Sequence, residues 1–381
     1  MRRPAALAAA TALVAVIATL AACSSNDKTS TPPPPPVAWT KVDVGTAEPV
    51  TLTAHENQLL IGLRHRGAKV VPELILLNGE KRTPIAIKPN PASPYAFEAI
   101  WYSIAYDGNK LLALGGASGG AHSNTRWTVW TGSPQTGLIE RPQDFFTFGG
   151  QTAGDLYSAV ITPSGQALLG SWGGVATGND AMVWLPQSDG KWTRQDPTKT
   201  ALQSTPSLLV GPSFGTTLGE SILLMGSQVR LAPNVVAQEA AVWRSTKLNQ
   251  GWSRLALPDP GNRSQASTAT CAKDCVISGY VDGQLAMWTL DAAGTAKRLT
   301  GVPSIPVGDK DKLPAPIVDG DKITQIVAQD NKVKVITGHD GQWTVHESTG
   351  GPQGPVTSAV MMPDHKLYLI AGTALWQTTL S

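Results

Sequence analysis

The sequence predicts an all-β protein: a β-propeller of seven blades, mostly of four antiparallel strands, with the ring closed by the N-terminal strand. Three observations predict it. A short pattern recurs seven times, as a β-like segment, a tight polar turn, a second apolar segment and a glycine. The closing glycines are Gly62, Gly115, Gly170, Gly226, Gly279, Gly338 and Gly372, spaced 53, 55, 56, 53, 59 and 34 residues apart. The segment before each turn carries a Ser or Thr, namely Thr51, Ser103, Ser158, Ser213, Thr268, Thr324 and Ser358, as suits a strand crowded near a central axis. The segment after the glycine usually carries Trp, at Trp130, Trp184, Trp243, Trp288 and Trp376, where radiating sheets leave wide gaps for large rings.

The units follow in order. In the first, Gln58-Leu59-Leu60-Ile61-Gly62 follows the turn at Glu56-Asn57; in the second, Leu111-Leu112-Ala113-Leu114-Gly115 follows Asp107-Gly108-Asn109. The third and fourth repeat this at Gln166–Gly170 and Ser221–Gly226, and each is followed by a fourth segment, Trp192-Thr193-Arg194 and Trp252-Ser253-Arg254. The fifth turns at Cys271–Cys275. The sixth, around Asp330-Asn331, is the weakest, with no clear fourth strand after Gln342–Val345, so six or eight blades remain open. The seventh ends at Ser381 without a fourth strand, and Trp39-Thr40-Lys41-Val42 matches the missing one, so this N-terminal segment is expected to close the ring beside Ala374–Thr379. Residues 37–381 give about 49 residues to each of seven units.

Charge narrows the function classes. The chain holds 30 Lys plus Arg against 28 Asp plus Glu, and two of the positive charges are Arg2 and Arg3. Without them the protein is neutral, which argues against a nucleic-acid partner. Charged residues are 15%, below the roughly 25% of an average soluble domain. The 38 Gly and 29 Pro mark a turn-rich chain.

The N-terminus has an export pattern. Arg2 and Arg3 precede an uncharged apolar run from Ala5 to Leu20, and the chain then turns polar at Ser24-Ser25-Asn26-Asp27-Lys28. Leu20-Ala21-Ala22-Cys23 resembles the bacterial lipobox. The resemblance implies a signal peptide over 1–22, a diacylglycerol on Cys23, and a protein held extracytoplasmically on the cell membrane. Residues 23–36 then form a tether whose run Pro32 to Pro36 favours stiff polyproline II, and residues 37–381 form a single propeller domain.

Two further resemblances fall on the blades. Met182-Val183-Trp184 with Ser188-Asp189-Gly190-Lys191-Trp192, and Ala241-Val242-Trp243 with Gly251-Trp252-Ser253-Arg254, resemble the bacterial neuraminidase repeat with a compressed Asp-box. The segment Thr270–Gly279 is similar to a Cys-bearing propeller repeat of secreted actinobacterial proteins. Outside the cytoplasm, Cys271 and Cys275 across a tight turn are expected to form a disulfide.

Function is expected where loops are long. The segments after the closing glycines, Arg64–Pro72, Gly116–Arg126, Trp172–Asp180 and Ser227–Glu239, read as long loops on one face of blades one to four, with the long links Pro89–Phe97, Arg141–Asp155 and Gly301–Asp321. The ligand-binding candidates there are Arg64, His65, Arg66, His122, Arg126, Trp172, Asp180, Arg230 and Glu239. A sialidase likeness would use Arg64, Arg126 and Arg230 to grip a carboxylate, Asp144 or Asp155 as the acid, and Tyr102 or Tyr157 as the nucleophile. The Arg-Ile-Pro motif of that family is absent from the first blade. The six His lack metal-ligand spacing, and Asp309, Asp311, Asp319 and Asp321 lack the EF-hand order, so neither metal nor cofactor is expected. The favoured expectation is a monomeric, membrane-anchored lipoprotein whose propeller binds a glycan or an envelope protein; the alternative is a glycan-active enzyme.

Overall fold

The computed structural model describes residues 34–119, 124–174 and 177–380. The signal peptide, Cys23 and the first part of the tether lie outside these described residues. Seven antiparallel sheets follow one another around a ring. Blade one comprises Glu48–His55, Gln58–Arg66, Val70–Asn78 and Lys81–Pro84. Blade two comprises Ile100–Tyr106, Leu111–Ser118, Thr125–Ser133 and Gly137–Glu140, with Ile87–Lys88 added in parallel at its edge. Blade three comprises Ala153–Thr162, Gly165–Gly173, Asn179–Pro186 and Trp192–Arg194. Blade four comprises Leu208–Leu218, Ser221–Ala232, Val235–Arg244 and Ser253–Ala256. Blade five comprises Ser264–Cys271, Cys275–Val281, Gln284–Leu290 and Ala296–Arg298. Blade six comprises Ile317–Asp319, Lys322–Gln329, Lys332–His339 and Gln342–Glu347. Blade seven comprises Val356–Met361, Lys366–Ala371 and Ala374–Thr379, and its fourth strand is Thr40–Val42. Thr40 pairs with Gln377 and Val42 with Leu375, so the two ends of the ring close as expected.

The repeat glycines have a physical cause. In every blade except the sixth, the innermost strand carries an extra residue where its register against the second strand shifts, and in blade three a second shift lies between Ala153 and Leu156. Such a bulge pushes backbone toward the neighbouring strand. Gly279 faces one of these bulges, and a Cβ there would stand 1.9 Å from the Gln265 carbonyl oxygen. At Gly226 the same atom would meet the Gly211 carbonyl oxygen at 2.1 Å.

The Ser/Thr column does more than save space. Ser103 Oγ accepts the Ala159 N–H of blade three at 3.0 Å, and Ser158 Oγ accepts the Gly215 N–H of blade four at 2.9 Å. Each hydroxyl therefore staples its blade to the next one. In blade four the aligned residue is Phe214, and Ser213 is the bulged residue before it.

Trp130, Trp184, Trp243 and Trp288 are completely buried on third strands. The apolar core is divided into seams between consecutive blades, such as the cluster of Leu60, Leu74, Trp101, Leu111 and Trp130 between blades one and two. The disulfide Cys271–Cys275 is present across its turn.

Blade six corrects the sequence reading. Thr324 and Gly338 stand on its second and third strands, one strand later than their expected places. The true inner strand is only Ile317–Asp319, inside a segment read as a link. Gln342–Glu347 is therefore the fourth strand, not the third. This shift of one strand explains the uneven spacings of 59 and 34.

A central cavity walled by strand bulges

The inner strands surround a central cavity of about 1010 Å³, at the upper end of the range for small-molecule sites. Each inner strand is the terminal member of its sheet, and those of every blade but the sixth line this space. The extra residues at the six bulges are Val50, Tyr102, Tyr157, Ser213, Ser267 and Thr357. All six line the cavity. A bulge turns a side chain out of the normal alternation, and here one bulged residue from each of six blades lines a single space, Val50 packing also against the seam between blades one and two.

The wall is not symmetric. Blades two and three contribute tyrosines. Tyr102 is 48% exposed and meets Trp127 edge to face, with ring centroids 4.8 Å apart. Burial pushes the Tyr157 phenol up to about 12, so it stays protonated at neutral pH. Blades four, five and seven contribute small hydroxyls.

Blade six has no bulged strand and fills its place with the irregular stretch Gly308–Ala315, which brings Asp309, Asp311 and Lys312 to the wall. This stretch is pinned from blade five. Tyr280 donates its hydroxyl proton to Asp309, and Arg263 pairs with the same carboxylate. The Tyr280 bond and the Arg263 charge hold Asp309 below the usual carboxylate range. Burial, then the Asp309 bond, pushes Tyr280 up to about 12. Asp311 accepts the Gly308 N–H at 2.8 Å.

The residues expected in long loops stand mainly on strands. Paired hairpins continue past the core, because backbone pairing persists once the side chains turn polar. Arg64 pairs with Pro72, Arg230 with Ala237 and Gln228 with Glu239. Besides the strand Ile317–Asp319 and the start of Ala153–Thr162, the links contain a short 3-10 turn, Ala96–Glu98, and one helical turn, Phe145–Phe148.

Each described candidate has a local partner. Arg64 and Arg66 both bind Glu48 at 2.8 Å. Burial raises Glu48, but the bonds from Arg66 and Arg64 outweigh it and hold the carboxyl low. His65 stands 3.8 Å from Glu73. The Arg126 guanidinium lies 5.1 Å from the centroid of Phe145, and its Nε is buried without a partner. Trp172 is buried beneath Arg194, whose guanidinium is 3.9 Å from the ring centroid. Asp180 is buried, which raises it, and accepts the Ser204 N–H at 2.7 Å. Arg230 pairs with Glu239, which also accepts from Gln228 at 2.9 Å. His122 lies outside the described residues.

Of the described candidates, only Arg64 reaches the cavity wall; Arg126 and Arg230 are not part of it. Asp144 is tied to Lys191 at 3.0 Å. Tyr102 and Tyr157 do reach the wall, together with the small residues of the other bulges, of which the sequence reading named only Ser213, and that as a packing residue. The signal for most of them was present: each bulged residue in blades one, two, three, five and seven immediately precedes the repeat Ser or Thr.

No protein-family model matches this chain, and no curated protein matches it. Its fold is that of known propellers. A streptogramin B lyase superposes with a TM-score of 0.55 at 12% identity, covering 90% of this chain and 97% of the lyase. A virginiamycin B lyase from Staphylococcus aureus gives 0.55 at 12%, covering 90% and 98%. The propeller domain of Cps50 (Swd1) from Myceliophteria thermophila gives 0.54 at 10%, covering 90% and 99%. These proteins have unlike roles, and at such identities the likeness concerns the fold alone.

Proposed function

We propose that this chain is a membrane-anchored extracytoplasmic lipoprotein, held by a lipid on Cys23, whose propeller binds a ligand in the central cavity as a monomer. The observation that carries the binding reading is the bulge ring: six blades each place one bulged residue on the wall of the same space. Loops and irregularities on a rigid scaffold are where recognition concentrates. The anchor rests on Leu20-Ala21-Ala22-Cys23 and the proline run behind it.

The ligand is a glycan or an envelope protein. The test compares binding of the full chain to cell-envelope polysaccharides and proteins with that of Thr357→Trp, which fills the exposed position on blade seven. Binding that is lost in the filled variant supports the cavity; binding that survives refutes it. Membrane fractionation of Cys23→Ala tests the anchor, which fails if the variant stays in the membrane fraction.

The glycan-active alternative has one supporting feature, the two tyrosines at the cavity. The raised Tyr157 works against a tyrosine nucleophile there. Release of dye from chromogenic sialosides, abolished by Arg64→Ala, would establish it.

A further inference from the structure

We propose that the cavity ligand is an uncharged saccharide, with one sugar ring stacked on Tyr102 and its hydroxyls facing the Ser213, Ser267 and Thr357 side of the ring. The inference rests on the cavity reading above and names its ligand class.

The argument begins with how Tyr102 is held. It is the bulged residue of blade two, it lines the cavity, and its ring lies over Gly116 against Trp127 of the same blade. Its edge lies near Gly116, where an added Cβ would stand 3.3 Å from Tyr102 and equally close to Trp127. The bare glycine backbone and the Trp127 ring support the tyrosine from behind, while 48% of the residue stays open to solvent. A rigid aromatic face presented in this way costs little to order on binding. Its apolar surface and polar tip suit a partner that is apolar on one face and hydroxylated at its edges.

The other side of the cavity supplies matching chemistry. Ser213, Ser267 and Thr357 offer hydroxyls that donate and accept, and the free edges of the inner strands offer backbone groups. The charges at the wall are largely spoken for. Asp309 is held by Tyr280 and Arg263, Arg64 by Glu48, and Asp311 by the Gly308 N–H. The wall bears Arg64 and Lys312 against Asp309 and Asp311, so it has no excess of either sign to select an ion. Stacking on one side with many neutral hydrogen bonds on the other is the chemistry that recognises a sugar. A flat apolar ligand would leave the hydroxyls unpaired, and a charged one would find no free counter-charge in excess.

The experiment is calorimetric titration of the full chain with maltoheptaose, cellohexaose, chitohexaose, mannohexaose and arabinohexaose, with sialyllactose and inositol hexakisphosphate as charged probes. Tyr102→Ala, Tyr102→Phe, Ser267→Ala and Lys312→Ala are titrated alongside, after their melting has been shown to match that of the parent. The expected result is binding of at least one neutral oligosaccharide, weakened roughly tenfold or more by Tyr102→Ala, kept by Tyr102→Phe and reduced by Ser267→Ala. Silence from all five neutral oligosaccharides, or binding of the charged probes alone, overturns the inference. A neutral ligand that is insensitive to Tyr102→Ala but lost in Ser267→Ala or Lys312→Ala overturns the stacking and leaves the cavity reading standing. A ligand indifferent to all four substitutions overturns both.

Discussion

Ser158 Oγ of blade three accepts the backbone N–H of Gly215 in blade four at 2.9 Å, although the two residues are 57 apart in sequence. The bond is buried. Ser158→Ala is expected to cost about 1–3 kcal/mol, the usual penalty for a buried donor left without its acceptor. Urea denaturation measures it. A loss below about 0.5 kcal/mol, the range of an ordinary surface change, would mean that the hydroxyl staple contributes nothing.

The bulges make a steric prediction. Gly279→Ala places a Cβ 1.9 Å from the Gln265 oxygen, and neither strand can retreat without breaking its ladder. The expected cost is about 1–3 kcal/mol or more. At Gly67 the nearest atom to an added Cβ is 3.8 Å away, so Gly67→Ala is the matched control and should change stability by less than about 0.5 kcal/mol. Equal melting temperatures for the two variants would contradict the bulge explanation of the repeat glycine.

Lys41 pairs with Trp376 in the closing strand. Lys41→Pro removes a backbone donor there and loosens the clasp, which exposes the edge of Ala374–Thr379. A lower melting temperature and a concentration-dependent rise in mass by light scattering are expected. An unchanged monomer of unchanged stability would show that the clasp is dispensable.

The Cys271–Cys275 bridge joins residues four apart and so closes a short loop. Reduction, or the paired Cys271→Ser and Cys275→Ser change, should therefore cost less than the typical ~2–4 kcal/mol of a disulfide. A larger loss on chemical denaturation would mean that the bridge organises more of blade five than its own turn.

Alkaline pH should weaken the fold. Tyr157 and Tyr280 are both pushed up to about 12, so in the unfolded chain they lose their protons first, near their ordinary value of about 10. Their contribution is complete below that value and is lost as pH rises toward 12. Stability measured by urea at stepped pH should fall across this window, and Tyr157→Phe should flatten part of the slope. A slope identical in Tyr157→Phe and the parent would show that Tyr157 has no part in it. At the acid end the depressed Asp309 works in the opposite sense: its stabilisation is present above the ordinary Asp value and is lost as pH falls through the lower folded one.

The blade count, the clasp and the disulfide could be read in the sequence because each leaves a local mark. A glycine stands opposite a bulge, a strand-like Trp39–Val42 matches an unfinished last unit, and two Cys flank one turn. Blade six could not be read, because its inner strand is the three residues Ile317–Asp319 and the wall above it is an irregular stretch rich in Asp, Lys and Pro. Of the site, the arginines and acids drew attention by their chemistry, yet most of them serve neighbours on their own blade. Ser213 was read only as a small residue near the axis, and Ser267 and Thr357 were hidden, because a bulge is a relation between two strands and nothing in a single serine announces that it is the residue its partner strand leaves unmatched.

Thr40 finds Gln377 only after more than three hundred intervening residues have been made, so the last blade is finished only after the other six have emerged. The first strand of the ring must wait unpaired through the assembly of the other blades. Its three residues, Thr40–Val42, offer little to a wrong neighbour in that time. The brevity of the clasp thus works as a timing device: it is too short to engage early and long enough to hold once the ring brings both ends together.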